Sequence, residues 1–109
     1  MSKTSIAEIN LQLADLNECL EHAYWEASCM SDKDLFHDLI SAVHSELSEL
    51  AKLSVQDHDL EYEAISLEFR RARVRLKELR KDIDSRISRA ATASKLESML
   101  DTLTTVLTD

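Results

Sequence analysis

The sequence predicts an all-α protein, an antiparallel helical bundle of three long helices with a short fourth, formed as one domain over residues 1–109. Three observations lead there. The 109 residues include no glycine and no proline, the residues on which tight turns, hairpins and phosphate loops depend. Walker loops and dinucleotide fingerprints are thereby excluded, and sandwiches and α/β folds become improbable. Hydrophobic residues make up 44% and charged residues 31%, enough apolar material for a core and too much for a disordered chain. Finally, apolar residues recur at helical spacing through most of the chain.

Helix 1 follows from Ile6, Ile9, Leu13, Leu16, Leu20, Ala23, Ala27 and Met30, whose alternating spacings of three and four are a heptad seam. Ser5 with Glu8 is a capping-box pair for its start, and the helix is expected to stop near Met30. Ser31 and Asp32 supply a cap for helix 2, with a seam of Phe36, Ile40, Val43, Leu47 and Leu50 widened by Leu35, Leu39, Ala42 and Leu53. Periodicity lapses over Ser54 to His58, the expected second connection.

Helix 3 is expected from about Asp59 to about Ala90, on the seam Ile65, Phe69, Ala72, Leu76, Leu79, Ile83, Ile87 and Ala90. Leu60, Leu67 and Val74, at intervals of seven, form a second stripe that predicts a second neighbour for its first half. The last apolar set, Leu96, Met99, Leu100, Leu103, Val106 and Leu107, would face nearly opposite to the main seam in an unbroken helix. A break is therefore expected, with Thr92, or Ser94 and Glu97, capping a short helix 4; the rival is one continuous helix of an intertwined dimer.

Thirteen Lys and Arg against twenty-one Asp and Glu give a net charge of −8. The imbalance is local: residues 1–60 hold twelve acids and three bases, and residues 61–109 hold nine acids and ten bases. Such acidity argues against general nucleic-acid or membrane-surface binding. Cys19 and Cys29 fall about 15 Å apart on one expected helix, too far for a disulfide, which predicts free thiols and a reducing, cytoplasmic setting. Met1 to Thr4 lead into the amphipathic pattern with no apolar signal core, and no run of eighteen apolar residues occurs, so neither export nor a membrane span is expected.

Trp25 is the most informative single residue. The heptad places it opposite the seam, in line with Leu11 and Glu18 and beside Tyr24. An aromatic there either packs within its own chain, under helix 4, or meets a partner. Nine cations lie between Arg70 and Arg89, and Arg70, Arg73, Lys77, Arg80 and Lys81 share one helical flank. That flank suits phosphates or an acidic surface; pairing with the acidic helices or with Glu78, Asp82 and Asp84 is the favoured reading.

His22, His37, His44 and His58 invite a metal reading, but Glu18, His22 and Glu26 offer two ligands where zinc or di-iron needs three or four, and Asp34 with His37 points away from the seam. In size and class the chain resembles the histidine phosphotransfer domains, whose pattern is similar to a histidine with lysine three residues on and glycine four on. Here Leu47 and Ser48 follow His44, and Ile40 and Ser41 follow His37, so the resemblance implies a bundle and not phosphoryl transfer. No nucleophile elbow or cofactor fingerprint is present; catalytic residues, cofactors and metals are not expected.

The function expected is a small cytoplasmic interaction module, an adaptor, regulator or chaperone-like protein that binds another protein and self-associates, as in a homodimer. Its expected partner-binding residues are Trp25, Tyr24 and Leu11 as apolar anchors with Arg70, Arg73, Lys77, Arg80 and Lys81 as charge-selective contacts. Alternatives are a small-molecule site near Phe36, Phe69 and Met99, and an anion or nucleic-acid site on the arginine-rich helix.

Overall fold

The computed structural model describes residues 4–53 and 55–103, the side chains of Val55 and His58 excepted. It is all-helical: α1 (Ile6–Glu26), α2 (Met30–Ala51), a short 3-10 helix (Val55–Asp59), α3 (Leu67–Arg86) and α4 (Ala90–Thr102). Ser54, Val106 and Leu107 lie outside the described residues. α1 packs against α2 and α4, and α3 packs against the same two helices. Among the described residues α1 and α3 make no direct packing contact, so they occupy opposite corners of the four-helix arrangement.

α1 begins as its sequence indicates. The Ser5 hydroxyl accepts from the Glu8 amide at 3.2 Å and donates to the Glu8 carboxylate, which satisfies one of the amides a helix start leaves free. Ile6, Ile9, Leu13, Leu16, Leu20 and Ala23 are all buried. The helix stops four residues short of Met30, which instead opens α2 and is exposed. Ser31 and Asp32 accordingly lie inside the first turn of α2 rather than before it, and the residue at the cap is Cys29, with no side-chain cap bond.

Two three-residue connections turn the chain without glycine. Ala27 (φ −64°, ψ 136°) and Cys29 (φ −126°, ψ 155°) bracket the first. Ile87 (φ −122°, ψ 112°) and Arg89 (φ −80°, ψ 115°) bracket the second. No described residue has a positive φ. The helices therefore leave straight into extended backbone that any residue can adopt, without the left-handed cap that favours glycine. Lys33 Nζ donates to the Tyr24 carbonyl at 2.9 Å, placing a cation at the negative end of α1.

α2 is rotated from the expected seam. Phe36, Val43 and Leu50 are buried as expected, as are Leu39 and Ala42 of the widened side, but Ile40 and Leu47 of the seam are only half-buried and Glu46 is buried in their place. Glu46 is 0% exposed. Its carboxylate accepts from the amides of Ile65 (2.9 Å) and Ser66 (2.6 Å) and from the Tyr62 hydroxyl. Burial, and then the hydrogen bond to Glu46, push the Tyr62 hydroxyl well above the ordinary tyrosine range, which keeps it protonated as a donor.

This carboxylate explains why α3 starts at Leu67 and not near Asp59. Residues 60–66 run outside any helix across one end of the bundle. The Leu60 carbonyl accepts from Ile6 and the Tyr62 amide donates to Thr4 at 2.8 Å, around a single antiparallel bridge between Ser5 and Glu61. Ser66 then caps α3, its hydroxyl accepting from the Phe69 amide at 3.2 Å. Leu60 is thus not on α3, and Ile65 is exposed rather than part of the seam; Phe69, Ala72, Leu76, Leu79, Ile83 and Ile87 are buried.

The break before α4 falls at residues 87–89, earlier than Thr92 or Ser94, and Ala90 is exposed. Thr92 is no cap; its hydroxyl donates to Glu26 at 2.9 Å and ties α4 to the end of α1. Arg86 pairs with Asp32 at 2.7 Å across the same end. Leu96, Leu100 and Leu103 complete the core.

Candidate protein interface

The residues expected to meet a partner divide between two opposite corners. On α1, Leu11 is 69% and Trp25 76% exposed, and both lie on the outward stripe that also carries Glu18. Trp25 is not covered by α4. It stands over the half-buried Tyr24, their rings edge to face at 5.2 Å and 87°. The Lys33 ammonium lies 4.7 Å from the Tyr24 ring centre and 5.9 Å from that of Trp25. The ammonium is itself held by the Tyr24 carbonyl, so the indole has an edge-to-face neighbour and a nearby cation within its own chain. The His37 ring also lies near Tyr24, with ring centres 6.4 Å apart.

On α3 the cations are unequal. Arg80 is clamped to α4, its Nε 2.8 Å from Asp101 and its Nη2 3.7 Å from Glu97. The hydrogen bond from Arg80 holds the Asp101 carboxyl below the usual carboxylate range. Arg75 and Arg86 pair with Asp38 and Asp32 of α2, and Arg89 lies 3.9 Å from Glu26 of α1. Arg70 Nε donates to the Ala64 carbonyl at 2.9 Å, and Arg73 is half-buried beside Tyr62. Among the described residues Arg71, Lys77 and Lys81 are exposed and make no ion pair. The structure thus brings Trp25 and Tyr24 together with Lys33, but it does not bring them to the basic flank of α3.

Sequence reasoning missed Lys33 at the Trp25 corner and the exposure of Met30. No periodic signal marks Lys33, because its role depends on where the α1–α2 connection returns the chain. Met30, 71% exposed, was hidden by fitting the seam of α1 one step too far. Phe36 and Phe69 are both 0% exposed, inside the core, while Met99 borders a surface groove of about 180 Å³ with Gln12, Asp15 and Leu103.

His22, His37 and His44 are exposed, and the side chain of His58 lies outside the described residues. No group of three His, Cys, Asp or Glu able to hold a metal occurs among the described residues. No helix there is long and apolar enough to cross a membrane.

Cys19 and Cys29 are both free, the first buried and the second exposed. Burial pushes the Cys19 thiol above its ordinary range, and the thiolate is the reactive species. A thiol reagent on native protein is expected to label Cys29 alone, with Cys19 modified only on unfolding. Two rapidly labelled thiols in the native state would contradict the burial of Cys19.

No protein-family model matches the chain, and neither a curated protein nor a solved structure is significantly similar to it.

Proposed function

We propose that this chain is a small cytoplasmic protein–protein interaction module, an adaptor, regulator or chaperone-like protein without catalytic activity, which presents the outer helix faces of an antiparallel bundle to a partner and also self-associates. The observation that carries this reading is Trp25, 76% exposed and set beside Tyr24 and Lys33. Large exposed aromatics are among the residues that dominate interface energetics. The short connections favour an antiparallel course, and the unpaired cysteines suit a reducing compartment.

A nucleic-acid or phosphate reading of α3 draws less support, because Arg75, Arg80 and Arg86 already face carboxylates, as does Arg89 just beyond it.

Trp25→Asp is the test. Tagged wild type is expected to capture a protein that the variant loses, with binding at least about 30-fold weaker, the scale of a hot-spot tryptophan. The helical circular dichroism of the variant should be unchanged, since the indole lies outside the core. Loss of helicity together with binding, or capture indifferent to the substitution, overturns the reading.

A further inference from the structure

The two outward faces at opposite corners are complementary to one another. α1 contains no Lys or Arg, and its outward stripe of Leu11, Glu18 and Trp25 is bordered by the exposed acids Glu8, Asp15 and Glu21, with Lys33 of α2 the one cation beside it, at the Trp25 end among the described residues. α3 carries an outward stripe with the same period, Leu67, Val74 and Lys81. Leu67 is 57% and Val74 55% exposed, and the bordering cations Arg71 and Lys77 are exposed without an ion pair among the described residues. Glu78 lies close to the middle of this face, and the exposed Asp82 and Asp84 flank its Lys81 end. Each stripe has two apolar residues and one charge at intervals of seven, about 21 Å from end to end. Glu18 is central in the α1 stripe and Lys81 terminal in the α3 stripe, so an antiparallel crossing that pairs Glu18 with Lys81 sets Trp25 against Val74 and leaves Leu11 beyond the end of α3.

We infer that the outer face of α1 docks on the outer face of α3 of a second copy of this chain. The inference rests on the proposed interaction module and names the partner of its α1 face. An exposed acidic amphipathic helix is what the α3 face is built to accept: apolar side chains to cover Leu67 and Val74, and carboxylates for Arg71, Lys77 and Lys81. The chain's own α1 has that composition. Because α1 and α3 sit at opposite corners, the two faces point away from each other. One twofold dimer cannot engage both at once. The contact is therefore head-to-tail, each copy offering α1 to one neighbour and α3 to another, which gives a ring or an open row.

Sedimentation of the full chain tests this directly with two exposed-surface variants, Leu11→Lys/Trp25→Lys for the α1 face and Val74→Glu/Lys77→Glu for the α3 face. Wild type is expected to grow with concentration beyond two chains of 12.4 kDa, while each variant alone, folded by circular dichroism, stays monomeric. An equimolar mixture of the variants is expected to form a complex of two chains and stop there, since each variant keeps the one face the other needs. A wild type that stays monomeric up to hundreds of micromolar overturns the self-docking and leaves the α1 face to a different protein, which Trp25→Asp capture tests separately. A variant that assembles alone, or a mixture that stays monomeric, overturns the α1-to-α3 pairing.

Discussion

Glu46→Ala is expected to lower the stability of the fold by about 3–5 kcal/mol, the cost of leaving buried polar groups without their ionic partner. The carboxylate is 0% exposed and accepts from the Ile65 and Ser66 amides and the Tyr62 hydroxyl. Those amides stand at the positive end of α3, where a negative charge is favoured and where unpaired N–H groups are most costly. Alanine removes the acceptor for three donors. At roughly 4 °C per kcal/mol for a chain of this length, the melting temperature should fall by about 12–20 °C. Glu46→Gln keeps the shape and one acceptor oxygen and should cost about half as much; Tyr62→Phe, which deletes one donor, should cost about 1 kcal/mol. Thermal circular dichroism measures all three. A Glu46→Ala protein melting within a few degrees of wild type would show that the carboxylate does not hold the start of α3.

The same residue marks where the sequence stopped being legible. The seam of α1 could be followed from Ile6 to Ala23 because every inward position is apolar. In α2 two registers share Phe36, Val43 and Leu50; one passes through Ile40 and Leu47, the other through Leu39 and Glu46. Apolarity alone selects the first. The protein adopts the second because the donors for Glu46 come from residues 62–66, about twenty positions away, and periodicity carries no information about such a partner. The end of the bundle where residues 60–66 cross was missed for a related reason. The spacings of Ile65 with Phe69 and of Leu60 with Leu67 invite a helix that starts early, yet Thr4, just before α1, and Ile6, its first residue, hold residues 60–62 in backbone pairing instead.

The surface was read with uneven success because exposure is local and pairing is not. The heptad of α1 placed Leu11 and Trp25 outward, and both are exposed. On α3 the flank shared by Arg70, Arg73, Lys77, Arg80 and Lys81 is real as a spacing, but Arg80 is committed to Asp101 and Arg70 to the Ala64 carbonyl. Which cations remain available depends on how α4 folds back, and that follows from the turn at residues 87–89. Local spacing did show that α3 could not continue through α4, since the apolar residues would have faced two directions.

The register of α2 can itself be measured by an adjacent pair of truncations. Leu39 is 0% exposed and Ile40 half-buried. Leu39→Ala should cost about 3–4 kcal/mol, the loss of a fully buried aliphatic side chain plus the cavity it leaves, and lower the melting temperature by roughly 12–16 °C. Ile40→Ala removes a side chain that partly faces water, and alanine favours helix over a β-branched residue, so its cost should be nearer 1 kcal/mol. The two positions are neighbours on one helix and lose the same number of carbon atoms, and helix propensity favours this order by only a few tenths of a kcal/mol, too little to produce a difference this large. The order is the decisive quantity. If Ile40→Ala proves the more damaging, the all-apolar seam faces the core, Glu46 turns toward solvent, and the small effect then expected of Glu46→Ala would have the same origin. If Leu39→Ala dominates and Glu46→Ala is equally severe, one rotation of α2 accounts for both, since burial of Leu39 and delivery of Glu46 to the start of α3 are consequences of the same three-and-four spacing.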